Sequence, residues 1–511
     1  MPRTIISKEG KALPGRGQAM QTLARTESRQ SQSIGQRPAG NGTGDGLRPS
    51  RFTGQHVHFI GIGGCGMSGL AAMLLDAGAI VTGSDSKPNA QTDELVGRGA
   101  TVVGEQTGAL LTATTDLVVR TAAIPDHNAE YCAGVRMGLR QTKYAQLLGQ
   151  VMQERLGVAV SGTHGKSTTT AMISYALLKC GVDPSFVIGG TVPQLGGSSR
   201  SGAGEAFVVE ACEFDRSFHS LHPRVAIITN IEADHLDCYP GGIDEIIESF
   251  RVFAKRVPPD GLIIANGQDA LVQRALSGLG VEVERVGLNT AESLTWCTRV
   301  HGHENGRYCG EVLYKGIHVA TLRLSIPGRH NLFNATAAVA ACHACGVSPA
   351  DAAEALEGFA GVDRRMSEVG TYNGATVADD YGHHPTEIRT TLRALREKYS
   401  PRRLICVFQP HQHSRTRYLL DEFATCFVDA DLTIIPDIYA ARDTDDDKRA
   451  VSTTDLIKRV AANGQRAIHL ATFPQILAHL REDCRAGDLV VTMGAGNICD
   501  IGRDLVRRRE P

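Results

Sequence analysis

Val158-Ala159-Val160 is an apolar strand segment that runs into Ser161-Gly162-Thr163-His164-Gly165-Lys166-Ser167-Thr168. Small residues in such a turn let backbone N–H groups close around phosphate oxygens. A helix opening at the turn adds partial positive charge. The Lys166 ammonium is long enough to reach the outer phosphates of a triphosphate, and the Ser167 hydroxyl is an oxygen ligand for Mg²⁺. The usual loop has a glycine five residues before its Gly-Lys pair; Val160 stands there, so this is a shorter variant. Gly162, Thr163, His164, Gly165, Lys166, Ser167 and Thr168 are therefore the expected cradle of a nucleoside triphosphate such as ATP.

Two later strands supply further groups. Phe207-Val208-Val209 ends in Glu210, and Val225-Ala226-Ile227-Ile228-Thr229-Asn230 leads to Ile231-Glu232-Ala233-Asp234-His235. In an open parallel sheet the C-terminal strand ends share one edge, where ligands bind. Glu210 and His235 can thus converge with Lys166 and the loop hydroxyls around one triphosphate and its divalent metal. Mg²⁺ prefers oxygen ligands, so the imidazole suggests a second ion or tolerance of Mn²⁺. Asn331 and Asn334 open an Ala-rich helix expected over Ala335 to Cys345, and either cap it or read an adenine edge. Earlier in the chain, strand His56–Ile60 enters Gly61-Ile62-Gly63-Gly64-Cys65-Gly66, with Asp85 after the next strand. That βαβ pattern fits a dinucleotide cofactor, and equally the diphosphate of any nucleotide-linked ligand. Asp85 meets a ribose hydroxyl or merely ends its strand.

Strands alternating with helices along the chain predict an α/β protein, and 511 residues allow about three domains at roughly 150 residues each. The expected division is a disordered extension over 1–52, a first α/β domain over 53–155, a central phosphate-loop domain over 156–362 and a third α/β domain over 363–511. The extension is basic and poor in apolar residues (Arg3, Lys8, Lys11, Arg16, Arg25, Arg29, Arg37, Arg48), and lacks the apolar core of a secretory signal. Segment 287–324 alternates polar and apolar residues and reads as strand-rich. The third domain carries Asp379-Asp380-Tyr381-Gly382-His383-His384-Pro385 and Gln409-Pro410-His411-Gln412-His413-Ser414-Arg415, both after strands, which suit an anionic, amine-bearing ligand. A formal charge of −2 indicates no general affinity for nucleic acid or membrane, and no apolar run has the length of a membrane span. Thirteen scattered cysteines fit reduced thiols in a cytoplasmic protein. Cys342 and Cys345 have C-x-x-C spacing within an Ala-rich helical stretch, where buried thiols are the expected reading.

Taken together, Gly61–Gly69, Gly162–Thr170, Thr229–His235, Pro327–Asn331, Asp379–Glu387 and Phe408–His411, in this order, resemble the ATP-dependent Mur ligase family of peptidoglycan synthesis. Among its members they are similar to those that join L-alanine to UDP-N-acetylmuramate. The resemblance implies a three-domain architecture, with a Rossmann-like first domain, a P-loop ATPase-like central domain and a Rossmann-like third domain. It implies that Gly61, Gly63, Gly64 and Gly66 hold the UDP diphosphate, with Asp85 in the same site. It implies that Ser167, Glu210 and His235 hold metal, and that Asn331, Asn334, Arg364 or Arg365 and Asp380 contact the nucleotide. Tyr381, His384, His411 and Arg415 would line the amino-acid pocket. The implied reaction phosphorylates the sugar carboxylate, assisted by Lys166; His384 is the candidate base for the amine, and Arg415 the third catalytic candidate. The partners implied are small molecules, and the assembly a monomer or homodimer.

The chain also departs from the family's pattern. Glu210-Ala211-Cys212-Glu213-Phe214-Asp215 stands where Glu-Ala-Asp-Glu-Ser-Asp is usual, Gln412-His413 where Arg-Tyr is common, and Arg442-Asp443 where Gly-Glu is usual. Three other readings compete: a ligase that attaches a recycled peptide to the same nucleotide sugar, an oxidoreductase built on the Gly61 motif, and a silent binding protein. The third-domain motifs argue against the first. The phosphate loop is unexplained by the second, and intact Lys166, Ser167, Glu210 and His235 argue against the last.

Overall fold

The strand at Leu156–Ser161 is largely apolar and almost wholly buried, and it is an interior strand of the largest sheet. A computed structural model describes residues 50–121, 123–290 and 292–507. Of the expected extension, residues 1–49 lie outside the described residues. Ser50–Phe52, assigned to it from sequence, are docked: the Ser50 hydroxyl and Arg51 amide donate to Glu154 at 2.8 and 3.0 Å, and Phe52 is buried.

Three sheets succeed one another along the described chain. The first is five-stranded and parallel, with His56–Ile60 between Ile80–Ser84 and Leu117–Arg120. The second has ten strands. Leu156–Ser161 pairs in parallel with Ala206–Glu210 on one side and Val225–Ile228 on the other. Both of those strands thus deliver their following loops to the same edge as the phosphate loop. The 287–324 segment is strand-rich as expected: Trp296–Glu304, Arg307–Tyr314 and Ile317–Pro327 form an antiparallel wing on this sheet. The third sheet has six strands, with Asp488–Met493 between Ala375–Asp380 and Arg403–Phe408. In Arg403–Phe408, Leu404, Cys406 and Phe408 enter one apolar core while Ile405 and Val407 enter the opposite one. A strand buried on both faces reads as a continuous apolar run, which is why it was visible in the sequence.

The Ala-rich helix begins earlier than expected and spans Arg329–Ala344, with Gly328 as its N-cap and no side-chain cap. Asn331 and Asn334 are thus inside the helix, and the capping alternative is wrong for both. All thirteen cysteines are unpaired, and Cys342 is buried in this helix. No helix among the described residues is long and apolar enough to cross a membrane.

A buried polar cluster sits under the first domain's glycine loop. His58 contacts Glu130 at 3.0 Å and Thr82 at 2.8 Å, and the Ser84 hydroxyl donates to the other Glu130 oxygen. Removing Glu130 leaves His58 Nε2 and the Ser84 hydroxyl, both buried, without their shared partner. Glu130→Ala is expected to cost about 1–3 kcal/mol, read as an earlier unfolding transition in denaturant; an unchanged transition contradicts the role of the cluster.

Candidate active site

The phosphate loop is shaped by what it cannot contain. Gly162 has φ +136°, and a Cβ there would lie 2.0 Å from the Thr229 hydroxyl. Gly165 has φ +83° and caps the helix Lys166–Lys179; its Cβ would lie 2.9 Å from Asn334 Oδ1. Both positions require glycine, by conformation and by space. The loop is stitched to the neighbouring strand end: the Thr163 amide donates to the Asn230 carbonyl at 3.0 Å, the His164 amide to Asn230 Oδ1 at 2.8 Å, and the Thr229 hydroxyl to the His164 carbonyl at 2.6 Å.

Above the loop lies a cavity of about 590 Å³, within the size range of small-molecule sites. Its walls include His164, Gly165, Ser167 and Thr168 from the loop, Asn331 and Asn334 from the Ala-rich helix, and Arg365 and Asp380 from the third domain. Asn331 donates to the Pro327 carbonyl at 2.7 Å and accepts from Asn334 at 3.2 Å, which fixes both amides. Of the two candidate arginines, Arg365 lines the cavity. Arg364 does not: it turns into its own domain, donating to Asp379 at 3.0 Å and to the Gly494 carbonyl at 2.8 Å. Asp380 accepts from the Gly382 and Met366 amides at 2.7 and 2.8 Å. Burial nevertheless raises its pKa to about 6.

Lys166 does not line this cavity. Its ammonium donates to the Gly162 and Thr163 carbonyls at 2.6 and 3.0 Å and to Glu213 at 3.0 Å. Burial works against the charge, but the carboxylates around it, Glu213 foremost, hold Lys166 protonated well above the usual lysine range. Glu213 was not singled out from sequence, although it lies three residues beyond Glu210 in the quoted segment. Glu210 ends its strand and accepts the Gly189 amide at 2.8 Å. Its charge, after burial, raises the pKa of the Tyr144 phenol in the first domain. Tyr144 in turn packs on Gly66, where a Cβ would meet the phenol oxygen at 2.3 Å. His235 lies 3.9 Å from Glu213 and has a buried Nδ1 with no partner. The carboxylates of Glu213 and Asp234 face Nε2, at 3.9 and 3.8 Å, while the unpartnered Nδ1 can take a divalent cation, as can the Ser167 hydroxyl at the head of the helix.

In the first domain Gly61 has φ +81°, and Gly64 caps the helix Cys65–Asp76. Asp85 is engaged with the loop itself, accepting the Gly63 amide at 2.8 Å and the Lys87 amide at 2.9 Å.

Third-domain residues reach across to the central loops. Buried Arg415 donates to Asp234 through Nε at 3.0 Å and sits 3.4 Å from His411. Although Asp234 is buried, Arg415 holds its carboxyl far below the usual range. His411 stacks on Tyr439, and burial lowers its pKa to about 4. Tyr381 lies between Arg364 and Arg365, whose guanidinium carbons are 5.0 and 5.2 Å from its ring. Burial, then the neighbouring His164, lower the pKa of His384. His164 itself lies 3.5 Å from Glu232 and 3.3 Å from Glu387 of the third domain. Burial opposes its charge, but these two carboxylates prevail and raise its pKa to about 9.

Family models match along the chain: the Mur ligase family catalytic domain at residues 56–156, the Mur ligase middle domain at 160–342 and the Mur ligase glutamate ligase domain at 364–496. The chain belongs to the Mur ligase family. It is 41% identical to the UDP-N-acetylmuramate–L-alanine ligase of Lachnospira eligens, across 88% of this chain and 98% of that one. The same-named protein of Caldanaerobacter subterraneus is also 41% identical, over 89% and 98%. Among solved structures, UDP-N-acetylmuramate-alanine ligase MurC from Thermotoga maritima aligns with a TM-score of 0.70 at 26% identity, covering 88% of this chain and 98% of the other. A murein peptide ligase from Psychrobacter arcticus aligns at 0.64 with 29% identity, covering 89% and 98%.

Departures from the Mur ligase pattern meet in space. Arg442 lies 4.4 Å over the Phe214 ring and 3.8 Å from Asp237, so two departing residues from different domains face each other. Asp443 accepts the His413 and Ser414 amides at 2.9 and 3.1 Å.

The His164 clasp makes a prediction with a definite sign. Its folded pKa, about 9, is above the ordinary histidine value of 6.5. The contribution is complete below the lower value and fades as pH rises through the upper one. Amide exchange across residues 383–387, corrected for intrinsic rates, should be slower at pH 6.5 than above pH 9. His164→Asn should abolish the difference; equal protection in the native protein contradicts the clasp.

Proposed function

We propose that this chain uses ATP to join L-alanine to the lactyl carboxylate of UDP-N-acetylmuramate, giving UDP-N-acetylmuramoyl-L-alanine for peptidoglycan synthesis. The observation that carries this is the match of about 41% identity with curated ligases of that activity across 98% of their length. The cavity over the phosphate loop supports it. In this reading Gly61, Gly63, Gly64 and Gly66 receive the UDP diphosphate, with Asp85 holding the loop. Gly162 to Thr168 cradle the phosphates of ATP, while Asn331, Asn334, Arg365 and Asp380 contact its nucleoside.

A carboxylate is a poor electrophile, so it must be activated first. Transfer of the γ-phosphoryl group to it gives an acyl phosphate; Lys166, released from Glu213, offsets charge on the transferring group. Mg²⁺, held by Ser167, Glu210 and His235, would supply further neutralisation at the phosphoryl oxygens. Arg415 and Tyr381 orient the amino acid, with His411 beside them. His384, whose pKa burial lowers, is the residue assigned to accept the proton that leaves the ammonium group. The amine then attacks the acyl carbon and phosphate departs. The third domain's contacts on Asp234 and Glu232 exclude water from the anhydride. Thirteen unpaired thiols support a reducing compartment, the cytoplasm.

Phosphate release should be measured with UDP-N-acetylmuramate, ATP, Mg²⁺ and single amino acids, with the L-alanyl tripeptide as a parallel arm. L-alanine should give the fastest release and Lys166→Ala should slow it by about 10²–10³-fold. Preference for the tripeptide would assign the recycling reaction instead, and equal release with glycine or L-serine would remove the alanine assignment.

A further inference from the structure

Apart from the residues assigned to Mg²⁺, three side chains at the domain seam share the spacing of a metal site. His164 and Glu232 come from the central domain and His384 from the third, and one ligand atom from each lies within 4.8 Å of the others. Glu232 Oε2 is 3.5 Å from His164 Nε2 and 3.7 Å from His384 Nδ1. Those separations are too long for good hydrogen bonds. They are close to the edge of a tetrahedron of ligands around an ion with bonds of about 2.0–2.2 Å.

We propose that His164 Nε2, Glu232 Oε2 and His384 Nδ1 bind a zinc-type divalent transition ion that clamps the third domain onto the phosphate loop. The outer contacts match those of a metal-bound imidazole once the ion displaces the Thr386 amide, which lies 3.3 Å from His384 Nδ1 as the helix cap. A ligating histidine gives its other ring nitrogen to a carboxylate or carbonyl, which fixes the tautomer and the ring. His164 Nδ1 lies 3.3 Å from Glu387, and His384 Nε2 lies 3.3 Å from the Ala233 carbonyl. The ligating Glu232 oxygen also accepts the Thr386 hydroxyl at 2.6 Å. Neither ring nitrogen of His164 has an aligned hydrogen bond, although both are buried.

Chemistry selects the ion. Two imidazoles and one carboxylate suit Zn²⁺ or Co²⁺, whereas Mg²⁺ prefers an all-oxygen set. The ion takes the place of the proton that the two carboxylates otherwise hold on His164. His164, Glu232 and Thr386 all line the large cavity, so the fourth position faces it and is open to water or a phosphate oxygen. Three protein ligands with one open position is the zinc arrangement that accepts an exogenous ligand. Because the ligands come from two domains, the ion holds the closed arrangement and slows turnover.

The test is titration of the full-length, metal-free protein with Co²⁺, followed by Zn²⁺. One equivalent of Co²⁺ should give the intense visible bands of a tetrahedral site, without the near-ultraviolet band of thiolate-bound cobalt, and Zn²⁺ should bleach them. His164→Asn, Glu232→Gln and His384→Asn should each weaken Zn²⁺ binding by more than the roughly 10–100-fold that loss of an outer contact brings. X-ray absorption of the Zn²⁺-loaded native protein should show imidazole and oxygen neighbours at about 2.0–2.1 Å and no sulfur, independently of how the variants fold. A pale octahedral spectrum, a sulfur neighbour, or native affinity in all three variants would overturn the proposal. None of these readouts needs ligase turnover, so they separate this site from the assignment of the reaction.

Discussion

The cavity depends on charged contacts at the seam between the central and third domains, those of His164 foremost. His164 is part of the phosphate loop, yet its charge is shared between Glu232 beside it and Glu387 across the domain boundary. The same boundary carries the buried Arg415–Asp234 pair and the Thr386–Glu232 hydrogen bond. Buried ion pairs contribute little net stability compared with apolar packing, but an unpaired buried charge is expensive. Such a seam therefore specifies how two domains meet more than it strengthens the fold. It places Arg365 and Asp380 over a loop from another domain, and neither domain alone encloses that cavity.

A second chain of contacts runs from the central domain to the first. Gly66 admits the Tyr144 ring, and Glu210 influences the Tyr144 phenol. Gly69 fits against Ser199, whose hydroxyl donates to the Cys65 carbonyl at 3.1 Å. The glycine motif thus serves close packing between domains. Arg442 and Phe214, both departures from the family's usual residues, show the same logic on the other side.

Much of this was legible in the sequence because strands buried on both faces are apolar runs, and the loops after them hold the chemistry. Val158–Val160, Val225–Ile228 and Leu404–Phe408 all fall inside observed strands. What sequence did not reveal is orientation. Arg364 and Arg365 are adjacent and identical in type, and only the left-handed turn around them sends one to the cavity and the other into its domain. Capping stayed open as one of two alternatives for Asn331 and Asn334 because the helix start was placed too late. Glu213 was passed over because pairing with Lys166 depends on a fold of the chain between Glu210 and Phe214 that no periodicity encodes. Glu232 and Glu387 were quoted only as parts of motifs, since their partner is a histidine far away in sequence.

The central claim is that a phosphoryl group activates a sugar carboxylate in this closed site before the amine arrives. Incubating the protein with UDP-N-acetylmuramate, ATP, Mg²⁺ and hydroxylamine, without amino acid, measures it directly. ATP consumption with a hydroxamate on the muramoyl carboxylate is the predicted result. No nucleotide consumption and no hydroxamate, from protein that is folded and binds both substrates, would contradict it.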